Sequence, residues 1–278
     1  MSTQELFVAA ITGLFGLVIG SFLNVVVYRV PARISLLRPS RCPRCDAPIR
    51  WWQNVPVLSW LALRGRCASC SEPIAARYPL VELGTGVAFA VASVLLPRSA
   101  AAWLPAGTDA AGAPAAVAVV LVAFLWFAAT GIALALIDHD TRRLPTPIIL
   151  TGYCVAVSLF VVACLLGADW WALLRAGVGM AALYGFYLVL SLVRAGGMGG
   201  GDIRLAGLVG LHLGWLGWGP LTVGALAAFI FGGVVGIALL ATKRAGRTTA
   251  MPFGPWIIAG AWFGVLAGAR IVQLYGGI

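Results

Sequence analysis

Asp138 and Asp202 are the side chains whose positions most invite chemistry. Asp138 closes the apolar run 116–137, and Asp202 closes the tract Gly199-Gly200-Gly201-Asp202 just ahead of the apolar run that begins at Leu205. The chain has only 9 acidic residues in 278, so acids at the edges of apolar runs are placed rather than scattered. Ionisable groups there mark a functional site by default. Two carboxylates that meet share one proton, because like charges in one site do not both ionise. The charged member can then take a proton from water while the protonated member supplies one. The glycines of 196–201 suit this role, since a backbone without Cβ atoms lets an extended peptide approach closely. Taken singly, Asp202 also reads as the N-cap of the next helix; only its pairing with Asp138 outweighs that. Asp140 competes with Asp138, or is a solvated loop acid beside Arg142 and Arg143, and His139 is a proton shuttle or a solvated interface histidine.

A second constellation is Cys42-Pro-Arg-Cys45 followed, after 21 intervening residues, by Cys67-Ala-Ser-Cys70. Paired CxxC knuckles at about this spacing form a tetrahedral four-cysteine zinc site, the two residues between cysteines turning the backbone so that both sulfurs face one ion. Arg41, Arg44, Arg64 and Arg66 flank the knuckles and favour thiolates. The alternative is two disulfides, which are rare in a reducing cytoplasm. Cys154 and Cys164 lie inside an apolar run and read as small packing residues.

The elements that must hold these groups are membrane helices. The chain is 61% hydrophobic and 10% charged, with a mean hydropathy of +0.98. That leaves too little charge to cover a soluble core. The apolar runs are continuous rather than alternating, which excludes a porin-like barrel. The fold class is therefore all-α, a polytopic helical membrane protein with a small cytoplasmic zinc-binding loop module. Candidate spans are 6–28, 79–97, 116–137, 147–167, 171–193, 205–218, 221–241 and 254–275, about eight transmembrane helices, with seven as the alternative because the sixth is short. No removable signal peptide is evident.

Arginine sets the orientation. Nine arginines fall in 29–78, Arg142 and Arg143 in 139–146, Arg194 and Arg204 bound 194–204, and Lys243, Arg244 and Arg247 lie in 242–250. The positive-inside rule puts these loops in the cytoplasm and both termini outside. Asp138 and Asp202 then share the cytoplasmic membrane face. A net charge of +10 carried in this way points to anionic membrane lipid and not to nucleic acid. Residues 98–115, rich in alanine, glycine and proline, read as a flexible outer linker. The segment 49–60, with Trp51, Trp52 and Trp60, reads equally as a strip at headgroup depth or as packing within the cysteine module. No clear internal repeat is visible, so an inverted-repeat transporter gains no support.

The whole pattern resembles the prepilin peptidases (type IV leader peptidases), and Gly199–Asp202 looks like the GxGD signature of intramembrane aspartyl proteases. The segment Gly20-Ser21-Phe22-Leu23-Asn24 through Pro31 is similar to the family's N-terminal signature. The two knuckles, Arg77 through Gly86, Asp138 through Pro145, the glycine tract and Pro252-Phe253-Gly254-Pro255 follow in the family's order. The resemblance implies a bifunctional bacterial inner-membrane enzyme with catalytic Asp138 and Asp202. Such an enzyme cleaves the basic leader from type IV prepilins or pseudopilins on the cytoplasmic side. It then methylates the new N-terminus with S-adenosylmethionine, and the cysteine loop accompanies methyl transfer. The family's first aspartate stands seven residues before a proline, which selects Asp138 over Asp140. Many members carry an acid or asparagine after that proline, where this chain has Thr146.

The expected organisation is a first span at 1–29, a four-cysteine zinc module at 30–78 and a transmembrane peptidase domain at 79–278. A basic leader and a basic cytoplasmic face repel, so anionic headgroups, or Glu72, Glu82 and Asp140, are the candidates for bridging them. Two other classes compete: a proton-coupled transporter using the aspartates as relay groups, and a non-catalytic assembly factor with a zinc module. A transporter's carboxylates belong near mid-membrane, whereas these sit at the ends of spans.

Overall fold

The computed structural model describes residues 2–193, 198–242 and 252–275. Arg194, Gly196, Gly197, Lys243, Arg244 and Arg247, used above, lie outside the described residues. Among those described, helices dominate, and the only β-pairings are two isolated bridges, Arg41 with Pro48 and Arg66 with Pro73. The chain forms two compact units, Met1–Val94 and Leu95–Ile278.

The first unit begins with α1 (Thr3–Arg29), opened by a capping box in which Ser2 and Glu5 satisfy each other's backbone N–H groups. A short α2 (Leu58–Ala62) lies in the cysteine module, and α3 (Arg77–Arg98) follows it. Gly16 and Gly20, one helical turn apart on α1, meet α3 with no room for a side chain. A Cβ on Gly16 would lie 2.8 Å from the Thr85 carbonyl, and one on Gly20 2.6 Å from Glu82 Cα. This is the small-residue contact that lets apolar helices associate where hydrophobicity gives no driving force between them.

The second unit holds α4 (Pro114–Thr141), α5 (Thr146–Leu165), α6 (Trp170–Val193), α7 (Gly200–Leu216), α8 (Trp218–Ala241) and α9 (Gly254–Leu274). With α1 and α3, eight apolar helices occur in the expected order. Seven of them, all but α7, are long and apolar enough to cross a membrane. The sixth expected span is thus corrected to a helix of 17 residues, roughly 25 Å at 1.5 Å per residue against a hydrocarbon layer of about 30 Å. A short helix is tolerated here because it meets protein rather than lipid: every residue from Leu205 to Leu216 is buried. Around it Phe127 stacks on His212, and Phe160 on Trp215, with ring centroids 4.2 Å and 4.3 Å apart. The Arg175 guanidinium holds the far end of α7 by donating to the carbonyls of Gly214 and Trp215, both at 2.7 Å.

The expectation of a flexible linker at 98–115 is also corrected. Trp103 is only 1% exposed, its ring lies against that of Trp215, and its carbonyl accepts from the Asp169 N–H. One aromatic side chain is enough to anchor a segment whose other residues are small, because burying it removes a large apolar area from solvent.

Candidate active site and metal centre

The carboxylate site lies in the second unit, where α4 ends and α7 and α9 begin. Helix α4 runs past Asp138 to Thr141 and stops at Arg142, which takes a left-handed conformation and donates its N–H back to the Asp138 carbonyl. Asp138 is 5% exposed. His139 and Asp140, one and two residues on, turn outward and are exposed. The helical rotation therefore separates the two competing aspartates: one faces the bundle and the other does not.

Asp138 is held from across the unit. Its Oδ2 accepts the Gly254 backbone N–H at 3.0 Å in a buried contact. Gly254 is the first residue of α9, where an N–H has no acceptor within its own helix. A Cβ on Gly254 would stand 2.8 Å from that carboxylate oxygen, so the approach requires glycine. Gly254, in the Pro252-Phe253-Gly254-Pro255 segment at the start of the last span, is a site residue absent from the expected set. Its signal was the pattern itself, a glycine amide between prolines at a helix start.

Asp202 lies in the first turn of α7, outside the seven spanning helices. Its Oδ2 accepts the N–H of Gly199, the residue that caps the helix, at 3.2 Å. Its Oδ1 is buried without a hydrogen-bond partner. Burial, and then the neighbouring Asp138 carboxylate, push the Asp202 carboxyl up to about 6 against the pull of the Gly199 N–H. Leu144, between the two catalytic candidates in sequence, abuts both surroundings. Cβ atoms on Gly201 and Gly254 would meet its side chain at 2.7 Å and 3.3 Å. Thr146, the departure from the family pattern, accepts a hydrogen bond on Oγ1 from the Arg204 guanidinium at 2.9 Å, tying the start of α5 to α7 two residues past Asp202.

The metal-ligand candidates lie in the first unit. Cys42, Cys45, Cys67 and Cys70 bring their four sulfurs within 4.8 Å of one another, with Cys42 Sγ and Cys70 Sγ 3.8 Å apart. Four sulfurs at about 2.3 Å from a central zinc in a regular tetrahedron would be about 3.8 Å apart. The cysteines are free thiols, not disulfides. The two knuckles are built alike. The backbone N–H groups of Cys42 and Cys67 donate to the carbonyls of Ala47 and Glu72, and those of Asp46 and Ser71 donate back to the carbonyls of Cys42 and Cys67. Asp46 and Ser71 both have positive φ, 55° and 60°. The sequence carries a local repeat, Arg-Cys-x-x-Cys-x-x-Pro-Ile at 41–49 and 66–74, which corrects the expectation of no clear internal repeat.

The donor chemistry fits a cation. The N–H groups of Cys70 and Ser69 draw the Cys67 thiol down to about 6. At Cys70 the Glu72 N–H favours the thiolate, but burial and the neighbouring sulfurs outweigh it and push the thiol up to about 12. Clustered thiols thus oppose one another's ionisation, a conflict that a bound divalent ion removes. Of the tryptophans in 49–60, Trp60 packs within the module and donates to the Ile74 carbonyl at 3.0 Å, whereas Trp51 is 83% exposed. Cys164 is buried; Cys154 lies on an exposed face of α5.

Fold and site define a multi-pass helical membrane protein with a carboxylate pair and a four-cysteine cluster. Residues 14–96 match the bacterial peptidase A24 N-terminal domain, and residues 120–237 match the type IV leader peptidase family. The chain is 36% identical to the prepilin leader peptidase/N-methyltransferase of Pseudomonas putida, with 98% of this chain and 94% of that protein covered. It is 34% identical to the protein of the same name from Stutzerimonas stutzeri, covering 94% and 91%. With that of Pseudomonas aeruginosa it shares 32% identity, covering 95% and 92%. The chain belongs to the type IV leader peptidase family. No solved structure matches it.

Proposed function

We propose that the protein is an aspartic endopeptidase of the bacterial inner membrane that removes the leader of type IV prepilins or pseudopilins at the cytoplasmic face and methylates the new N-terminus. Family membership supports a peptidase with methyltransferase activity. The observation that carries the catalytic assignment is the asymmetry of the pair. Asp138 is anchored through Oδ2 by Gly254, while Asp202 keeps a buried oxygen without a partner and is raised by burial and by Asp138.

On this reading the Asp138/Asp202 pair shares one proton. The ionised member takes a proton from water as the water oxygen attacks the scissile carbonyl carbon. The protonated member hydrogen-bonds the carbonyl oxygen. As the C–N bond breaks, a carboxylic proton passes to the leaving amine. The basic loops support a cytoplasmic site by the positive-inside rule. Membrane lipid is the remaining partner, its anionic headgroups screening basic leader from basic face.

For methyl transfer, Cys42, Cys45, Cys67 and Cys70 would hold zinc as a structural ion. S-adenosylmethionine, when bound, supplies an electrophilic methyl group and leaves as a neutral thioether. The protein's part is to hold the pilin amine uncharged and aligned, and to let its proton depart. The division into a span at 1–29, a zinc module at 30–78 and a peptidase domain at 79–278 follows as a functional one. The test is to incubate the purified protein with a candidate prepilin and measure intact mass. Leader loss and a methyl gain are expected as separate shifts; a substrate whose mass stays unchanged would refute the reading.

A further inference from the structure

Between α1 and α3, the unit Met1–Val94 leaves a group of large apolar side chains uncovered. Trp51 lies on a 3₁₀ turn, Trp51–Asn54, that packs against α2, and Leu58 and Leu61 lie on α2 itself. All three are more than half exposed. On a span such residues simply meet lipid, but these belong to the loop module. The strip they form has two sides. Asn54, Ser59, Trp60 and Leu63 line a cavity inside the module, where Ile74 accepts the Trp60 indole N–H. Leu58 and Leu61, three positions apart and so on one face of α2, are turned outward.

The backbone is bent at a cost to hold this strip. Val57 has φ 62° and ψ −49°, a genuine outlier for a β-branched residue. Such strain persists only where the surroundings fix it. The fixing contact is the Val57 N–H, which donates to Glu82 Oε2 at 2.7 Å. That bond also sets the height of the strip. Glu82 lies three residues past the start of the apolar run at 79. Its Cα abuts Gly20, where a Cβ would come within 2.6 Å. Gly20 is eight residues inside the end of the α1 apolar run at 28, roughly 12 Å at 1.5 Å per residue. Val57 is thus pinned beside the apolar part of both helices rather than beyond their ends. The charge around the strip has one sign. No acid occurs between Asp46 and Glu72, whereas Arg50, Arg64 and Arg66 flank it and are exposed. Arg41 is set aside, because it pairs with Asp46.

We infer that Trp51, Leu58 and Leu61 dip into the membrane interface with Arg50 and Arg64 on anionic headgroups, so that the cysteine module rides on the bilayer instead of standing in water. Aromatic and aliphatic side chains next to arginine are the composition of an interfacial segment, and each arginine near an anionic surface adds attraction. A basic peptide would be repelled by the same arginines, and a second copy of the chain would bring like charge against them. The inference deepens the lipid reading above and stands whether or not either enzymatic activity is found.

The experiment uses the full chain in nanodiscs of phosphatidylcholine, with and without phosphatidylglycerol. Hydroxyl-radical footprinting of the wild type should oxidise Trp51 no faster than the buried Trp103. What covers the strip is read by placing a photo-crosslinking benzoyl-phenylalanine at position 51 or 61, where the native side chain is exposed, and weighing the adducts. Lipid adducts are expected at both positions. Phosphatidylglycerol should be captured on the order of fivefold above its mole fraction, the scale of one arginine at an anionic surface. Arg50→Gln combined with Arg64→Gln should remove that excess. Trp51 oxidised at the rate of a free tryptophan, or adducts to a second copy of the chain in place of lipid, would overturn the inference. An excess that survives the double substitution would overturn the role given to the two arginines.

Discussion

The Gly254 backbone N–H donates to Asp138 Oδ2 at 3.0 Å, joining residues 116 apart in the chain. One catalytic candidate is thereby oriented by the first residue of the last helix. The contact leaves no room for a methyl group, since a Cβ on Gly254 would stand 2.8 Å from the carboxylate oxygen and 3.3 Å from Leu144. Gly254→Ala should therefore lower the rate of leader cleavage by on the order of 10²-fold, the scale of a displacement of about 1 Å at a reacting group. Steady-state kinetics on a purified prepilin would check this. Wild-type kcat in that variant would show that Asp138 does not depend on Gly254.

Asp138→Asn and Asp202→Asn should each abolish leader cleavage, by several orders of magnitude, because paired groups act as a unit. Asp140→Asn should retain substantial activity, as Asp140 is exposed where Asp138 is 5% exposed. Cleavage by purified, membrane-inserted variants decides it; an active Asp202→Asn enzyme would end the two-aspartate mechanism.

Asp202 also makes stability depend on pH. Its carboxyl is raised to about 6 in the folded protein, against about 3.9 in an unfolded chain. The folded state binds the proton more tightly, so the stabilisation is complete below about pH 4 and is lost as pH rises through about 6. Asp202→Asn carries no such titration. Its Tm relative to wild type should therefore climb by a few degrees between about pH 4.5 and 7.5. A pH-independent difference in thermal melts would mean that the carboxyl titrates normally.

The four-cysteine cluster should carry one zinc per chain, lost on Cys67→Ser. Elemental analysis of protein purified without chelators tests the metal. Cys45→Ser should reduce methyl gain more than leader loss, because the local module unfolds while the aspartate pair, in the other compact unit, stays intact. Asp202→Asn should do the reverse, methylating a pre-cleaved pilin but leaving a full prepilin uncut. Loss of both activities together in a well-expressed Asp202→Asn protein would point to one shared site.

Apolar runs, arginine placement and CxxC spacing were enough, without any structure, to define an all-α membrane protein with a cysteine module and two edge aspartates. Those features are local: a run of apolar residues forms a helix in lipid because its backbone must satisfy itself, and the two residues between the cysteines of each knuckle turn both of its sulfurs to one side. What needed the tertiary structure were choices made by contacts between distant segments. The family pattern already favoured Asp138 over Asp140, but the physical reason is tertiary: the rotation of α4 buries one and exposes the other. The 98–115 segment reads as a linker until Trp103 finds Trp215. Helix α7 counts as a marginal span by length, yet its neighbours bury it from Leu205 to Leu216. Glycine shows most plainly where the boundary falls. The sequence marks Gly254 as a permissive residue at a helix start, but a backbone amide has no side chain to announce its partner, so its bond to Asp138 exists only once the helices have packed.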